Sequence, residues 1–256
     1  MKAPQVVNPE ERETLLSAAK NGQVEPIKRL YRERGPRTLD VADIDGKTLL
    51  HLACEHGQVA VVGFLLDHGN SPEREEEYGN TPLIIAAAEG YTELVKVLLE
   101  HGAHPDKKSL FDISALMLAV SQGHVECVRT LLAANADPNL RGKGGQTALH
   151  YACMHSQAVA AVLLLKHGAD RSRRNNDGRT PDELASTVMC DVMDGRVDPS
   201  VVQPLAAAAE LGPPGTAVID LPAGVVAIDY ERELSIGRLL GRGAFSDVYA
   251  ADYRCQ

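Results

Sequence analysis

A six-residue word beginning with Thr or Ser recurs five times in this chain at an unvarying step of 33 residues. The copies are Thr48-Leu-Leu-His-Leu-Ala53, Thr81-Pro-Leu-Ile-Ile-Ala86, Ser114-Ala-Leu-Met-Leu-Ala119, Thr147-Ala-Leu-His-Tyr-Ala152 and Thr180-Pro-Asp-Glu-Leu-Ala185. A fixed period without drift predicts stacked units rather than one globule. A unit this short cannot bury its own apolar face and must lean on its neighbours.

The remainder of the period repeats as well. Nine residues after the opening Thr or Ser stand Gly57, Gly90, Gly123 and Ser156, and a second apolar block follows, ending in Leu65-Leu66, Leu98-Leu99, Leu131-Leu132 and Leu164-Leu165. Each block closes at Gly69, Gly102, Asn135 or Gly168. Gly and Asn accept the left-handed conformation that ends a helix, so Asn135 is expected to keep the backbone role of the glycines. The unit therefore reads as helix, tight turn, helix, long loop. Ahead of the word sits a turn signal, Asp45-Gly46, Tyr78-Gly79-Asn80, Gly144-Gly145 and Asp177-Gly178, suited to a hairpin that needs positive φ. Only Phe111-Asp112-Ile113 departs from it.

This pattern resembles the ankyrin repeat, whose signature is a Thr-Pro-Leu-His-x-Ala word in a 33-residue period. The resemblance implies an all-α solenoid of helix-turn-helix units with β-hairpin loops. Repeats are placed at about 11–43, 44–76, 77–109, 110–142 and 143–175, with a cap at 176–195, so that residues 1–195 form one repeat domain. The first copy is degenerate, Glu13-Thr-Leu-Leu-Ser-Ala18 with Gly22, Ile27 and Leu30, and its loop is two residues longer, since Gly22 to Gly57 is 35. It reads as an N-terminal cap. The copy at Thr180 loses its Leu to Asp182 and lacks the later Leu pair, so it reads as the C-terminal cap, continuing into a helix near Val188 to Met193. Terminal repeats turn a polar face to water.

Composition narrows the function classes. The formal charge of -9 argues against nucleic acid as a main ligand, because phosphate recognition rests on clustered Lys and Arg. No N-terminal stretch resembles a signal peptide and no apolar run approaches the ~20 residues of a membrane span. The five cysteines form no secreted framework: Cys54 and Cys153 share a repeat position that is normally small and buried, and Cys127 sits on an apolar helix face. The expected compartment is the cytoplasm, with the nucleus as the other option, and the expected state is a monomer.

Two pairs suggest a metal. His51-x-x-Cys54 and His150-x-x-Cys153 each set a His and a Cys one helical turn apart, as half of a zinc site would. They are three repeats apart, roughly 30 Å at ~10 Å per packed layer, too far to share an ion. Each His is instead expected to brace its own turn by hydrogen bonds. No Ser/His/Asp or Cys/His arrangement has independent support, so no catalytic residue, metal ligand or cofactor is assigned.

From about Ser186 to Asp229 the chain carries Pro199, Pro204, Pro213, Pro214 and Pro222 and no copy of the word, so 196–230 reads as a linker with short helices around Val201 to Leu211. Beyond it, Ile236-Gly-Arg-Leu-Leu-Gly241-Arg-Gly243-Ala-Phe-Ser246-Asp-Val248 sets apolar strand-like stretches around a Gly-rich turn. This stretch, 231–256, resembles the first hairpin of a protein kinase N-lobe, with the pattern G-x-G-x-x-G-x-V. Gly241, Gly243 and Val248 match it, Leu240 fits the flank, and Ser246 stands where the third Gly would be. The wording is similar to tyrosine-kinase-like families, Raf-like and integrin-linked-kinase-like, some of which place ankyrin repeats before the kinase domain. The resemblance implies that Leu240, Gly241, Gly243, Ser246 and Val248 are a nucleotide-binding remnant. No phosphate-pairing Lys, His-Arg-Asp loop or Asp-Phe-Gly follows before Gln256, so this chain is not expected to transfer phosphoryl groups; ATP and Mg would belong only to a longer kinase.

Two functions follow from the resemblances. One is a non-catalytic scaffold for another protein. The other is the regulatory front of an ankyrin-repeat kinase. In the ankyrin family the hairpin tips and the exposed end of the first helix form a concave binding face. The residues aligned with it include Asp45, Lys47, Tyr78, Asn80, Leu110, Phe111, Ile113, Gln146, Met154 and His155. Phe111 is one of only three Phe in the chain, and with Leu110 and Ile113 it places apolar side chains on a tip that is usually polar. Aromatic anchors of this kind carry much of an interface's energy. The alternative is that Leu110 and Phe111 fold back onto the neighbouring repeat. Glu73-Arg-Glu-Glu-Glu77 and the loop with Arg171, Arg173 and Arg174 are either solvated or form acidic and basic ends that orient a partner.

Overall fold

The computed structural model describes residues 7–199, and within them all regular structure is helical. Six helix pairs follow one another: α1 (Pro9–Lys20) with α2 (Val24–Arg34), α3 (Leu49–Glu55) with α4 (Val59–Asp67), and α5 (Pro82–Ala88) with α6 (Thr92–Glu100). Then come α7 (Ala115–Ser121) with α8 (Val125–Ala133), α9 (Ala148–Met154) with α10 (Ala158–Lys166), and α11 (Pro181–Leu184) with α12 (Thr187–Met193). The opening Thr or Ser of the word caps the first helix of its pair. Thr81 Oγ1 accepts the Ile84 amide at 3.3 Å, Ser114 Oγ that of Met117 at 3.4 Å, and Thr180 Oγ1 that of Glu183 at 3.3 Å. A cap of this kind occupies an amide that the helix start leaves unpaired.

The first helices pack on one another in chain order to form one layer, and the second helices form the other. Between the layers runs one apolar cluster from Leu15 to Met193. Leu65, Leu98, Leu131 and Leu164, aligned by the period, are all fully buried in it. Full burial of a Leu side chain stabilises by roughly 1.5–3 kcal/mol, so the stack is held by contacts between neighbouring periods.

The end units depart from the repeat. In the first, no Thr cap is used: α1 starts well before the degenerate word, with Asn8 Oδ1 accepting the Glu11 amide at 2.7 Å and Glu11 Oε2 accepting the Asn8 amide at 3.1 Å. This reciprocal box presents a polar first turn to water at the end of the stack. The longer loop that follows winds into a 3-10 turn over Pro36–Leu39. At the other end, α12 covers the expected Val188 to Met193 and buries Met189, Val192 and Met193.

The hairpin tips differ from expectation. Among the described residues no strand forms; the tips are turns with isolated bridge pairs, Ala42 with Thr48 and Lys108 with Ser114. Phe111-Asp112-Ile113 is not an exception to the turn pattern, because Asp112 adopts φ +58°, in step with Gly46 at +74° and Gly79 at +75°. Asn135 keeps the glycine role as expected, at φ +61°. The linker beyond 199, with the helices expected at Val201 to Leu211, and the Gly-rich stretch with Leu240, Gly241, Gly243, Ser246 and Val248 lie outside the described residues.

Candidate functional site

Four of the five tips are built by a side chain two residues before them. Asp43 Oδ1 accepts the amides of Asp45 and Lys47 at 3.0 and 2.9 Å, and Glu76 Oε1 accepts those of Tyr78 and Asn80 at 3.0 and 2.9 Å. Ser109 Oγ accepts the Phe111 amide at 3.3 Å, and Asn175 Oδ1 accepts those of Asp177 and Arg179 at 3.0 and 2.9 Å. Side-chain acceptors that close a turn two residues on are the Asx-type device. Residues 43, 76, 109 and 175 share a phase of the period, a signal the sequence reading missed. Gly142 holds that phase in the remaining repeat. A Cβ there would sit 2.6 Å from Met117 Sδ, and the turn closes through Lys143–Gly145 instead.

The tips are then tied in a row. The Glu77 amide donates to Asp45 O at 3.1 Å, Leu110 to Tyr78 O at 3.0 Å, Lys143 to Asp112 O at 3.1 Å and Asn176 to Gly144 O at 2.8 Å. On this ladder the apolar side chains face outward: Ile44 is 92% exposed, Leu110 73%, Phe111 51% and Tyr78 49%. The Tyr78 and Phe111 rings stack with centroids 6.2 Å apart and planes 24° from parallel, and Lys143 Nζ lies 6.0 Å from the Phe111 ring centre. Offset stacking and a cation over a ring are both favourable contacts. Leu110 and Phe111 thus lie against Gly79 and Tyr78 of the preceding repeat while keeping much of their surface exposed. Ile44 was missed by sequence reasoning, although it is aligned with Leu110.

The other expected site residues divide. Asp45 is exposed at its tip. Lys47 is not free, for its Nζ lies 2.8 Å from Glu55 Oε1. Burial works against the lysine's charge, but the Glu55 bond and nearby Asp43 and Glu76 hold its pKa above the usual range. Asn80 is half-buried and serves through its backbone, its carbonyl 3.2 Å from His51 Nε2. Ile113 packs against the core behind the tip, and Gln146 is half-buried. Met154 and His155 are exposed at the far end of α9, roughly 10 Å along the helix from the tip row.

The two charged runs are largely compensated within the fold. Lys107 Nζ lies 2.9 Å from Glu75 and 3.5 Å from Glu73. Arg171 reaches Asp182 at 3.0 Å and Asp194 at 2.7 Å, Arg173 reaches Asp170 at 3.5 Å, and Arg174 reaches Glu183 at 3.4 Å. Glu73, Glu75, Arg171, Arg173 and Arg174 therefore do not constitute an acidic and a basic end, whereas Glu77 has no ion pair among the described residues. Lys107 meets Glu73 and Glu75 across neighbouring loops, Arg171 and Arg174 reach the last two helices, and Arg173–Asp170 is a local pair. Six charges on the tip row, Asp45, Glu77, Arg141, Lys143, Asp177 and Arg179, have no ion pair among the described residues.

His51 and His150 brace more than their own turns. His51 Nδ1 accepts the Thr48 amide at 3.1 Å, while Nε2 donates to Arg74 O at 2.9 Å in the loop beyond. Burial lowers the pKa of both rings. Cys54 and Cys153 are buried packing residues, and burial pushes the Cys153 thiol up to about 12 and the Cys54 thiol upward as well. A thiol so protonated is a poor nucleophile.

A family model for ankyrin repeats, of three copies, matches residues 15–109 and 111–192. No curated protein matches the chain.

Proposed function

Because this chain belongs to the ankyrin-repeat family, whose repeats generally mediate protein–protein interaction, we propose that it is a non-catalytic scaffold that grips another protein through its tip row. The single observation that supports this reading is the stacked Tyr78–Phe111 pair, left half-exposed beside Ile44 and Leu110. Apolar side chains held outward by a hydrogen-bonded ladder form a pre-ordered patch, and ordering such groups in advance lowers the entropic cost of binding. The free thiols at Cys54, Cys127, Cys153 and Cys190 favour a reducing compartment, the cytoplasm in the first place.

The test is the double change Tyr78→Ala with Phe111→Ala, in the full chain, against partners captured by the parent. Truncating aromatic anchors commonly costs more than ~2 kcal/mol, roughly a thirtyfold loss of affinity. The variant should lose capture while its melting and helicity stay near those of the parent. Full retention of capture by a folded variant would move the binding face elsewhere.

A further inference from the structure

We propose that the partner is recognised as an extended peptide carrying a basic cluster and an acidic cluster about nine residues apart, with apolar side chains between them. This rests on the tip-row reading above and adds to it the chemistry of the occupant.

The first argument concerns what the tips leave free. The amides of Glu77, Leu110 and Lys143 are each occupied by a carbonyl of the preceding tip, at 3.0–3.1 Å. A bound strand therefore cannot add itself to this edge through main-chain hydrogen bonds, as in β-augmentation. Recognition has to pass through side chains.

The second argument concerns where the uncompensated charge lies. At the first two tips stand Asp45 and Glu77, both exposed and both without an ion pair among the described residues. The neighbouring cation, Lys47, is already engaged by Glu55 at 2.8 Å. At the fourth tip stand Arg141 and Lys143, also exposed. Arg141 donates only to uncharged acceptors, Arg174 O at 2.9 Å and Asn176 Oδ1 at 3.1 Å, and Lys143 lies against the Phe111 ring. At the tip between these ends the charges cancel, since Lys108 Nζ pairs with Asp112 at 2.7 Å. Over the first four tips the row is therefore acidic, then apolar and neutral, then basic, while at the fifth the exposed Asp177 and Arg179 offset each other in sign.

Geometry supplies the spacing. From the first tip to the fourth is three repeat steps, ~30 Å at roughly 10 Å per packed layer. An extended chain rises ~3.3 Å per residue, so about nine residues bridge the distance. A basic cluster over Asp45 and Glu77 and an acidic cluster over Lys143 and Arg141 would then flank side chains seated on Tyr78, Leu110 and Phe111. Complementary charge of this kind sets register and encounter rate more than total affinity, and it is sensitive to salt.

The experiment pans a display library of random peptides, each about 16 residues long, on the full chain at roughly physiological ionic strength. Enriched peptides should carry the two opposite clusters about nine residues apart. Synthetic copies should lose about tenfold or more in affinity toward the Asp45→Lys, Glu77→Lys variant and toward Lys143→Glu. Toward the first variant, affinity should return when the peptide's basic residues are changed to Glu. An absence of enriched peptides, enrichment without the charge pattern, or affinity within about twofold after both charge reversals overturns the inference. If unpatterned peptides are selected that still need Tyr78 and Phe111, only the charge inference fails. If the selected peptides bind the Tyr78→Ala, Phe111→Ala variant as well as the parent, the tip-row reading fails with it.

Discussion

His51 Nε2 lies 2.9 Å from the carbonyl oxygen of Arg74, so a ring rooted in one repeat is bonded to the loop that leads into the next. Its Nδ1 accepts the Thr48 amide at 3.1 Å, which requires a neutral ring with the proton on Nε2. His150 repeats the arrangement, with Nδ1 3.1 Å from the Thr147 amide and Nε2 3.2 Å from Arg179 O.

Protonation would set an N–H of each ring against the amide it now serves. Both folded-state pKa values are lowered, chiefly by burial, so below the ordinary histidine pKa of about 6.5 the unfolded chain takes up protons first. Stability is expected to be complete above that pH and to fall as pH drops below it. His101 beside Asp67 has the opposite sign, with a raised pKa, but the pair is exposed and contributes little. Melting temperature measured from about pH 7.5 to 5.5 should therefore decline. The change His51→Ile with His150→Met, which installs the residue types of Ile84 and Met117 at the same repeat position, should flatten that decline. An unchanged slope would rule out these rings as its source.

Leu98 is fully buried between the layers, with Leu65 and Leu131 at the same position on either side. Leu98→Ala should cost about 2–5 kcal/mol in denaturant unfolding. Lys96→Glu, on the exposed face of the same helix, should stay within ~0.5 kcal/mol. A loss under ~0.5 kcal/mol at Leu98 would mean that the site collapses without a cavity.

Gly79 and Gly69 both hold positive φ, +75° and +85°, yet only at Gly79 would a Cβ meet a neighbour, Leu110 N at 2.7 Å and its Cγ at 2.8 Å. Gly69→Ala should cost about 1–2 kcal/mol for the left-handed conformation alone. Gly79→Ala should cost more, and should in addition break the Leu110–Tyr78 bond of the tip row. Hydrogen exchange at the Leu110 amide is the direct reading, and equal protection in both variants would refute the steric argument.

Arg171 ties the last loop to α11 through Asp182 and to the end of α12 through Asp194. Its guanidinium bond is the main cause that lowers the Asp194 pKa. These groups are partly exposed, so Arg171→Ala should move global stability by no more than about 1 kcal/mol. Amide exchange within α12 should accelerate by contrast, since among the described residues that helix is the last of its layer and packs mainly on α10. Unaltered exchange in α12 would show the clamp to be idle.

The apolar cluster among the described residues ends at Met193, and the ankyrin match ends at residue 192. Removal of residues 215–256 should accordingly leave the helical melting transition within about 1 kcal/mol of the parent. A large loss of helicity on truncation would count against a self-contained repeat domain.

In the inner repeats the period by itself determined which residues are core and where the first helix of each pair starts. Repeated neighbours impose the same burial on the same phase, so Leu65, Leu98, Leu131 and Leu164 could be aligned and read as buried. Intrinsic backbone preference likewise made Asn135 legible as a left-handed helix stop. Only the stack decided the rest. Asp112 takes positive φ although Asp is no obligate turn residue, because its tip closes on Ser109 O at 3.0 Å while its carbonyl receives the Lys143 amide from the next repeat. Glu75 finds Lys107, and Tyr78 finds Phe111, across about one period of chain. Such pairings depend on distance and angle between loops that are remote in sequence, and residue type alone carries no record of either. For the same reason the Lys47–Glu55 pair is not legible from residue type, and neither is the exposure of Ile44 at its tip.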